Sequence, residues 1–165
     1  QPLNAVAEHV LLEIRPMREA DLAAVFASEE AAYTHPWTPG IFTDCLKVGY
    51  HCLVGTLGGR IIAHAVMSVA VGEAHVLNLC VHPEWQGRGH GRRLLEHLLQ
   101  MTTARRVKHM FLEVRASNEA AQALYLAMGF NEIAQRPGYY PAPAGRETAL
   151  VYARTLISDG DRQDR

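Results

Sequence analysis

Apolar and polar positions along the first third of the chain predict one strand followed by two helices. An apolar run over 10–15 has the composition of a strand, and Pro16 ends it. The stretch from about 20 to 32 has a helical period. A second, shorter helix is predicted to begin near Thr38 and Pro39, because proline is well tolerated in the first turn of a helix.

The middle of the chain changes to a strand period. Residues 51–57 and 60–71 flank the pair Gly58-Gly59, a pattern that predicts a β-hairpin with a two-residue turn. A further turn at Gly72-Glu73 leads into 74–81, a nearly continuous apolar run. Such a run is typical of a strand that is buried on both faces.

A helix is predicted after this strand, from about 89 to 105. Its apolar positions share one side, which predicts an amphipathic helix with a single buried stripe. The stripe consists of Leu94, Leu95, Leu98, Leu99 and Thr102.

The remaining residues predict a strand, a helix and two final strands. The strand covers 109–115, and the helix begins after Ser117 or Asn118, either of which is a good N-cap, and ends at Gly129. The last two strands lie near 130–136 and 147–155, and we expect 137–145 to be a turn-rich loop. The order β-α-α-β-β-β-α-β-α-β-β predicts a mixed α/β fold that contains a β-α-β unit.

Length and composition limit the classes of protein. The 165 residues, 48% hydrophobic and 20% charged, predict one domain over 1–157 and a polar, disordered tail over 158–165. A formal net charge of −1 argues against a general nucleic-acid-binding protein. No apolar run approaches the ~20 residues of a membrane-spanning helix, and the first nine residues do not resemble a signal peptide.

The cysteines predict neither disulfides nor a zinc ribbon. Cys45, Cys52 and Cys80 are an odd number without a C-x-x-C pair, so we expect a reducing, cytosolic environment. Cys80 lies inside an apolar strand, where a thiolate nucleophile is disfavoured, and it is predicted to be a small buried hydrophobic residue. Cys80 and His82 could begin a metal site, but no second pair at zinc spacing completes one, so no metal is expected.

The first chemical signal is the segment Gln86-Gly87-Arg88-Gly89-His90-Gly91, which follows the apolar strand and opens a helix. Glycines permit positive φ and a close approach of ligand to backbone N–H groups, and a helix N-terminus favours phosphate. The spacing fits neither a Walker loop nor a Rossmann fingerprint. The alternative is a tight turn without a ligand, although such a turn rarely needs three glycines.

The segment from Val76 to Phe130 resembles the GCN5-related N-acetyltransferase (GNAT) superfamily. Its acetyl-CoA loop, Gln/Arg-x-x-Gly-x-Gly/Ala, is matched by Gln86, Gly89 and Gly91. The sequence from about 11 to 156 is similar to the RimI type of ribosomal-protein alanine N-acetyltransferase. The motifs that carry this similarity are His35-Pro36-Trp37-Thr38, Leu112-Glu113-Val114-Arg115-Ala116-Ser117-Asn118, Ala123-Leu124-Tyr125, Gly129-Phe130, Tyr139-Tyr140-Pro141 and Gly145-Arg146-Glu147.

The resemblance implies a mixed, mostly antiparallel central sheet, flanked by about four helices, that splays where acetyl-CoA binds. It places the pantetheine arm on the backbone of Leu79, Cys80 and Val81, with Asn118 also contacting the cosubstrate. It assigns the pyrophosphate to Gly87, Arg88, Gly89, His90, Gly91 and Arg92. The expected partner is the N-terminus of a ribosomal protein, with no direct contact to nucleic acid or membrane, while the oligomeric state stays open.

Glu113 and Tyr125 are the predicted acid–base pair. Glu113 lies among bulky apolar residues, and a buried, unpaired carboxylate would respond with a raised pKa, as a general base requires. A solvated carboxylate on an edge strand is the alternative. Tyr125 lies on the apolar side of its helix and could be a core tyrosine. The resemblance makes Glu113 the base and Tyr125 the proton donor to the departing CoA thiolate.

The resemblance implies that Tyr139 and Tyr140 form part of the substrate wall. Further candidates for the same groove are Tyr33, Trp37 and Glu147. Pro137-Gly138 departs from the polar or basic residues that the resembled type has before Tyr139. A rigid aromatic surface turn is the alternative for Tyr139-Tyr140-Pro141.

Three functions follow as hypotheses. The first, which the resemblance implies, is acetylation of the N-terminal alanine of a small-subunit ribosomal protein, the eighteenth, by direct attack of the amine on acetyl-CoA. The second is a non-catalytic acyl-CoA-binding module, which would bind the thioester without turnover. The third is acetylation of small amines such as polyamines, which an acidic pocket would favour, and the sequence has no obvious acidic cluster.

Overall fold

The computed structural model describes residues 11–156, and all structural statements concern that part of the chain. It contains seven strands and four helices in the predicted order, with short 3-10 turns at Glu19–Asp21 and Pro83–Trp85. The strands are β1 Glu13–Pro16, β2 His51–Leu57, β3 Arg60–Ala70, β4 Glu73–Val81, β5 His109–Arg115, β6 Asn131–Ala142 and β7 Gly145–Thr155. The helices are α1 Leu22–Ala32, α2 Pro39–Val48, α3 His90–Thr103 and α4 Glu119–Ala127.

The strands form one sheet in the order β1-β2-β3-β4-β5-β7-β6. Strands β4 and β5 are parallel, whereas β1 and β2, β5 and β7, and β6 and β7 are antiparallel, which confirms the predicted mixed sheet. The pairing of β4 with β5 ends at Val76 opposite Leu112, although the strands continue to Val81 and Arg115. Only the first four residues of β4 therefore pair with β5.

The chain divides into two compact units, and the first comprises residues 11–66 and 79–97. Its helix α2 begins at Thr38, whose side chain accepts a hydrogen bond from the backbone N–H of Ile41, and ends at Gly49 with φ 86°. Proline in the first turn and a left-handed glycine after the last turn are standard helix boundaries. The core of this unit contains Met17, Val25, Phe42, Cys45, Cys52, Val54 and Val66, with Leu22, Trp37, Leu46 and Ile61 packed against it.

The second unit comprises residues 67–78 and 98–156. Strand β5 buries Met110, Leu112 and Val114 in alternation, as a strand with one core face does. Helix α4 begins after Asn118, whose side-chain oxygen accepts from Ala121 N, and Gly129 follows its end with φ 85°. The predicted cap at Asn118 and stop at Gly129 are confirmed.

The structure corrects three predicted strands. Strand β4 alternates between buried and exposed residues, so the expectation of burial on both faces is wrong. Strand β6 extends to Ala142, where a loop was expected, because a bulge between Arg136 and Tyr140 accommodates Pro137 and Gly138 within the strand. Strand β1 begins at Glu13, later than predicted.

Two further predictions concern the polar tail of the chain and membrane-spanning helices. The predicted tail at 158–165 lies outside the described residues. No helix among the described residues is long and apolar enough to cross a membrane.

Candidate active site

The predicted site residues fall into two groups, one on each compact unit, and each group is described by itself. The first group consists of the glycine loop, Gln86 to Gly91, with the end of β4 and the residues Tyr33 and Trp37. The second consists of Glu113, Tyr125 and the side chains around them.

At two positions of the glycine loop, the backbone conformation requires glycine. Gly87 has φ 75° and Gly89 has φ 86°, a region that L-amino acids with a Cβ rarely occupy. A Cβ at either position would meet no atom within 4 Å, so the requirement is conformational and not steric. Gly91 instead lies in the first turn of α3.

The glycine loop presents unpaired N–H groups at the start of α3. The first helical hydrogen bond runs from Arg93 N to Gly89 O at 3.1 Å, so the helix offers no acceptor to the N–H groups of His90, Gly91 and Arg92. Burial and the nearby Arg88 charge lower the pKa of His90, which keeps its imidazole neutral. The arrangement suits an anion such as a phosphate.

The arginines of the loop have partners within the chain. The Arg88 guanidinium lies over the Trp85 ring, 4.9 Å from its centroid, and Arg92 Nε lies 3.2 Å from Glu96 Oε1. Both contacts are at the surface, where such interactions are weak and exchangeable. The guanidinium groups can therefore reorient towards a bound anion at small cost.

Side-chain donors occupy two carbonyl groups at the end of β4. Tyr33 Oη donates to Leu79 O and Gln86 Nε2 donates to Val81 O, both at 2.9 Å. The N–H of the following residue, His82, donates to Ile62 O on β3 at 2.8 Å. Because successive residues of a strand point their N–H and C=O groups to opposite sides, the N–H groups of Leu79 and Val81 point away from β3.

Cys80 and Trp37 belong to the interior of the first unit. Burial raises the pKa of the Cys80 thiol far above its usual value, with the Glu29 charge as a second cause, so the expectation of an unreactive buried cysteine is confirmed. Trp37 packs against Phe42, with ring centroids 5.3 Å apart, and its backbone N–H donates to Glu29 Oε1 at 3.3 Å.

Glu113 is neither buried nor unpaired, and that part of the prediction is wrong. Its side chain is 28% exposed, and Oε1 lies 3.5 Å from Nη2 of Arg136. Its strand neighbours Leu112 and Val114 point into the core, so alternation directs Glu113 to the other face. Because the residues around Glu113 are mostly apolar, the sequence did not show this alternation between a core face and an outer face.

Tyr139 and Tyr140 lie beside Glu113. Their rings are in a T-shaped contact, with centroids 5.0 Å apart. The guanidinium of Arg136 lies 5.4 Å from the Tyr139 ring, and that of Arg115 lies 4.6 Å from the Tyr140 ring. The Glu113 charge raises the pKa of Tyr139, while burial and then Glu113 raise the pKa of Tyr140 to about 12. Both phenols therefore stay protonated near neutral pH.

Tyr125 is a buried tyrosine of α4, with 7% of its surface exposed. Its ring packs against Phe130 and Tyr152, with centroids 6.2 and 6.1 Å away. Burial raises the pKa of Tyr125 well above its usual value, and the adjacent Tyr140 adds to the effect. The prediction of an inward-facing hydroxyl is confirmed, and the group is neutral at physiological pH.

Glu147 and Asn118 have clear structural contacts. Glu147 accepts from Ser117 N at 2.8 Å and from Arg115 Nη1 at 3.2 Å, and these bonds lower its pKa, with Ser117 the main cause. Asn118 Oδ1 accepts from Ala121 N at 3.1 Å. These contacts hold the connection between β5 and α4, and the predicted ligand roles of both residues stay predictions.

Arg136 and Arg115 also belong to the second group, and neither was among the site residues predicted from the sequence. Arg136 lies on β6 immediately before a bulge, in which Pro137, Gly138 and Tyr139 face only one residue of β7 between the pairs Arg136–Ala149 and Tyr140–Glu147. Gly138 has φ 62° within this bulge. The unusual Pro-Gly step in a strand was the available signal.

Comparison with known proteins shows the family to which the chain belongs. The profile of the Acetyltransferase (GNAT) family matches residues 11–130. The chain is 40% identical over 140 residues to the [Ribosomal protein bS18]-alanine N-acetyltransferase of Escherichia coli K12, covering 85% of this chain and 95% of the relative. It is 42% identical over 133 residues to the Salmonella typhimurium enzyme of the same name, covering 81% and 90% of the two chains.

The structural comparison agrees with the sequence comparison. The crystal structure of the ribosomal-protein-S18-alanine N-acetyltransferase from Escherichia coli has a TM-score of 0.86 and 37% identity, covering 94% of this chain and all of that one. The predicted resemblance is thereby confirmed. This chain belongs to the GNAT family of acetyltransferases.

Proposed function

We propose that this protein transfers the acetyl group of acetyl-CoA to the N-terminal alanine of the small-subunit ribosomal protein bS18. The observation that carries the proposal is the 40% identity to an enzyme named for that reaction, over 95% of the length of that enzyme. The GNAT family membership supports acetyl-CoA as the cosubstrate. The residues of both groups support the chemistry as follows.

The glycine loop is the proposed holder of the cosubstrate pyrophosphate. Its support is the set of N–H groups at His90, Gly91 and Arg92, which the helix leaves without acceptors. Arg88 and Arg92 supply positive charge nearby. The N–H groups of Leu79 and Val81 are the proposed partners of the pantetheine arm, because their carbonyl groups already accept bonds from Tyr33 and Gln86.

Glu113 is the proposed base for the amine. An α-amino group with a pKa near 8 is about one-tenth neutral at pH 7, whereas a lysine side chain is neutral to roughly one part in two thousand. This difference corresponds to ~3 kcal/mol in favour of N-terminal amines. A carboxylate that is partly open to solvent suffices to remove the proton, directly or through a water molecule.

The transfer itself needs no acyl-enzyme. The neutral amine attacks the thioester carbonyl carbon, the C–N bond forms, and the C–S bond breaks. The amine proton passes to Glu113, and the thiolate of coenzyme A receives a proton from Tyr125. Orientation of the two substrates contributes much of the rate.

The environment of Tyr125 affects the free-energy cost of donating its proton to the thiolate of coenzyme A. A phenol with a pKa near 10 donates to a thiolate near 8.5 at a cost of about 2 kcal/mol, if the coenzyme A sulfur resembles a cysteine. The raised pKa of Tyr125 increases that cost. A thiolate held in similarly buried surroundings also has a raised pKa, which offsets part of the increase.

Acetylation of a synthetic peptide with the bS18 N-terminus tests the proposal. Product formation from acetyl-CoA is followed by mass spectrometry, with a peptide already acetylated at its α-amino group and a polyamine as comparison substrates. We expect acetylation of the free N-terminal alanine alone. Turnover on the polyamine but not on the peptide would contradict the proposed substrate, and binding of acetyl-CoA without any turnover would contradict the enzymatic role.

Glu113→Gln tests the base within the same assay. General-base catalysis contributes typically 100- to 10,000-fold, so kcat should fall by about 100-fold or more. Glu132→Gln, an exposed carboxylate on β6, is the matched control and should retain the rate. An unchanged rate for Glu113→Gln would remove this residue from the base role without affecting the proposed substrate.

A further inference from the structure

Three side chains of different donor chemistry meet in the interior of the first unit. They are Glu29 on α1, His64 on β3 and Cys80 on β4, with exposed fractions of 2%, 0% and 1%. One carboxylate oxygen, one imidazole nitrogen and the sulfur all lie within 4.8 Å of one another. Carboxylate, imidazole and thiolate are the ligands of protein zinc sites.

Hydrogen bonds leave this cluster incompletely satisfied. Glu29 Oε2 and His64 Nε2 are 2.7 Å apart, but the buried Nδ1 of His64 has no hydrogen-bond partner. The sulfur of Cys80 lies 3.8 Å from Ser28 O, a long contact. The Glu29 carboxylate is hydrogen-bonded, since its Oε1 accepts from Trp37 N at 3.3 Å, whereas the buried His64 nitrogen without a partner costs free energy. The hydrogen-bonded form of the cluster therefore keeps one unsatisfied buried nitrogen.

We propose that Glu29, His64 and Cys80 form a binding site for one transition-metal dication, with Zn²⁺ as the preferred ion. Zinc–ligand bonds of about 2.0–2.3 Å put tetrahedral ligand atoms about 3.5 Å apart, so side-chain shifts of about 1 Å complete the site. The second oxygen of Glu29 or a water molecule takes the fourth position. Sulfur and nitrogen donors disfavour Mg²⁺ and Ca²⁺.

Charge and proton balance favour occupation of this interior site. Zn²⁺ with one carboxylate, one thiolate and one neutral imidazole has no net charge, which reduces the cost of burial. Binding displaces the Cys80 thiol proton to solvent, and the imidazole proton leaves Nε2 for Nδ1 or for solvent. At least one proton is therefore released for each ion bound.

The proposed ion would join segments that are distant in the sequence. It connects α1, β3 and β4 of the first unit, and Cys80 is the neighbour of Leu79, whose carbonyl accepts from Tyr33. An ion that binds only the folded chain stabilises it by mass action. We therefore expect the unfolding temperature to rise with zinc concentration.

Metal analysis of the full chain tests the site. Protein freed of metal with a chelator is dialysed against Zn²⁺, and bound zinc is measured by elemental mass spectrometry; Co²⁺ replaces zinc for absorption spectroscopy. We expect one ion per chain and a thiolate-to-cobalt charge-transfer band. Cys80→Ala should lower zinc affinity at least 100-fold and abolish the band.

Cys52→Ala is the matched control, because Cys52 is another buried free cysteine of the first unit. It should bind zinc as the unaltered chain does. Absence of retained zinc, absence of the thiolate band in the unaltered chain, or full zinc binding by Cys80→Ala would overturn the proposal. Should Cys80→Ala fail to fold, the cobalt spectrum of the unaltered chain decides the question. None of these readouts depends on acetyl transfer.

Discussion

The guanidinium of Arg136 lies 3.5 Å from the carboxylate of Glu113, the residue proposed as the catalytic base. The same guanidinium lies over the ring of Tyr139, 5.4 Å from its centroid. A substrate ammonium group that approaches Glu113 therefore meets a carboxylate already paired with a cation. In the proposed mechanism, Arg136 and the substrate amine would compete for Glu113.

Arg136→Gln tests this competition. Removing the guanidinium should lower KM for the peptide about two- to fivefold at low ionic strength, because an exposed ion pair contributes little and salt weakens it. The unfolding temperature should change little, since the Arg136 side chain is 55% exposed. Steady-state kinetics at low and high salt measures the effect.

Arg105→Gln is the matched control, because Arg105 is an exposed arginine of the same unit that donates to Met101 O. Its KM should equal that of the unaltered chain at both salt concentrations. An increase of KM in Arg136→Gln would indicate that the guanidinium binds the peptide.

Tyr125→Phe tests whether Tyr125 is a proton donor or only a packing residue of the core. The ring contacts with Phe130 and Tyr152 are retained, so the change removes only the hydroxyl. We expect kcat to fall about 100-fold, the lower end of the range for general acid catalysis, with KM for acetyl-CoA unchanged.

Tyr152→Phe removes a hydroxyl from the neighbouring buried ring and is the control for stability. Both variants should unfold at similar temperatures, as circular dichroism can show. Equal kcat for the two variants would assign Tyr125 to packing alone.

Gly89→Ala should weaken acetyl-CoA binding through the backbone. At φ 86° an alanine costs about 1–2 kcal/mol, and relaxation of that strain would displace the first N–H groups of α3. We expect KM for acetyl-CoA to rise tenfold or more. Binding of coenzyme A measured by calorimetry should weaken in parallel.

Gly58→Ala provides the comparison for this backbone effect. Gly58 has φ 56° in the turn between β2 and β3, and a Cβ there also meets no atom within 4 Å. This variant should lose a similar amount of stability and retain its affinity for coenzyme A. Equal affinities for the two variants would contradict the role of the glycine loop.

Asp21 should make stability depend on acid pH. Its carboxylate accepts two hydrogen bonds from Arg15, at 2.7 and 2.9 Å, and its pKa is lowered to about 2, with Arg15 the main cause. A lowered pKa in the folded chain stabilises the fold above pH ~4, and this contribution is lost as the pH falls from about 4 to 2. The contribution is about 1–2 kcal/mol at neutral pH.

Chemical denaturation of Asp21→Asn at several pH values measures this contribution. The variant should be less stable than the unaltered chain at pH 7, and the difference should shrink between pH 4 and pH 2 and vanish only below pH 2. Asp44→Asn, an exposed aspartate of α2, should show little difference at either pH. A difference for Asp21→Asn that is as large at pH 2 as at pH 7 would contradict the ion-pair explanation.

The sequence by itself determined the order and type of the elements. Helix caps at Thr38 and Asn118 and the glycine pair at 58–59 are local features, because each depends on residues within a few positions. The glycine loop could be located for the same reason. Its proposed role in anion binding depends on consecutive N–H groups at one helix end.

Tertiary structure alone decided the surroundings of the reactive groups. Glu113 obtains its partner Arg136 from another strand, and no local pattern specifies the register of that strand. The meeting of Glu29, His64 and Cys80 likewise depends on three segments that are far apart in the chain. The exposure of a side chain and its partners depend on contacts between segments that are distant in the sequence. Periodicity along the chain shows only which face of its own helix or strand a side chain occupies.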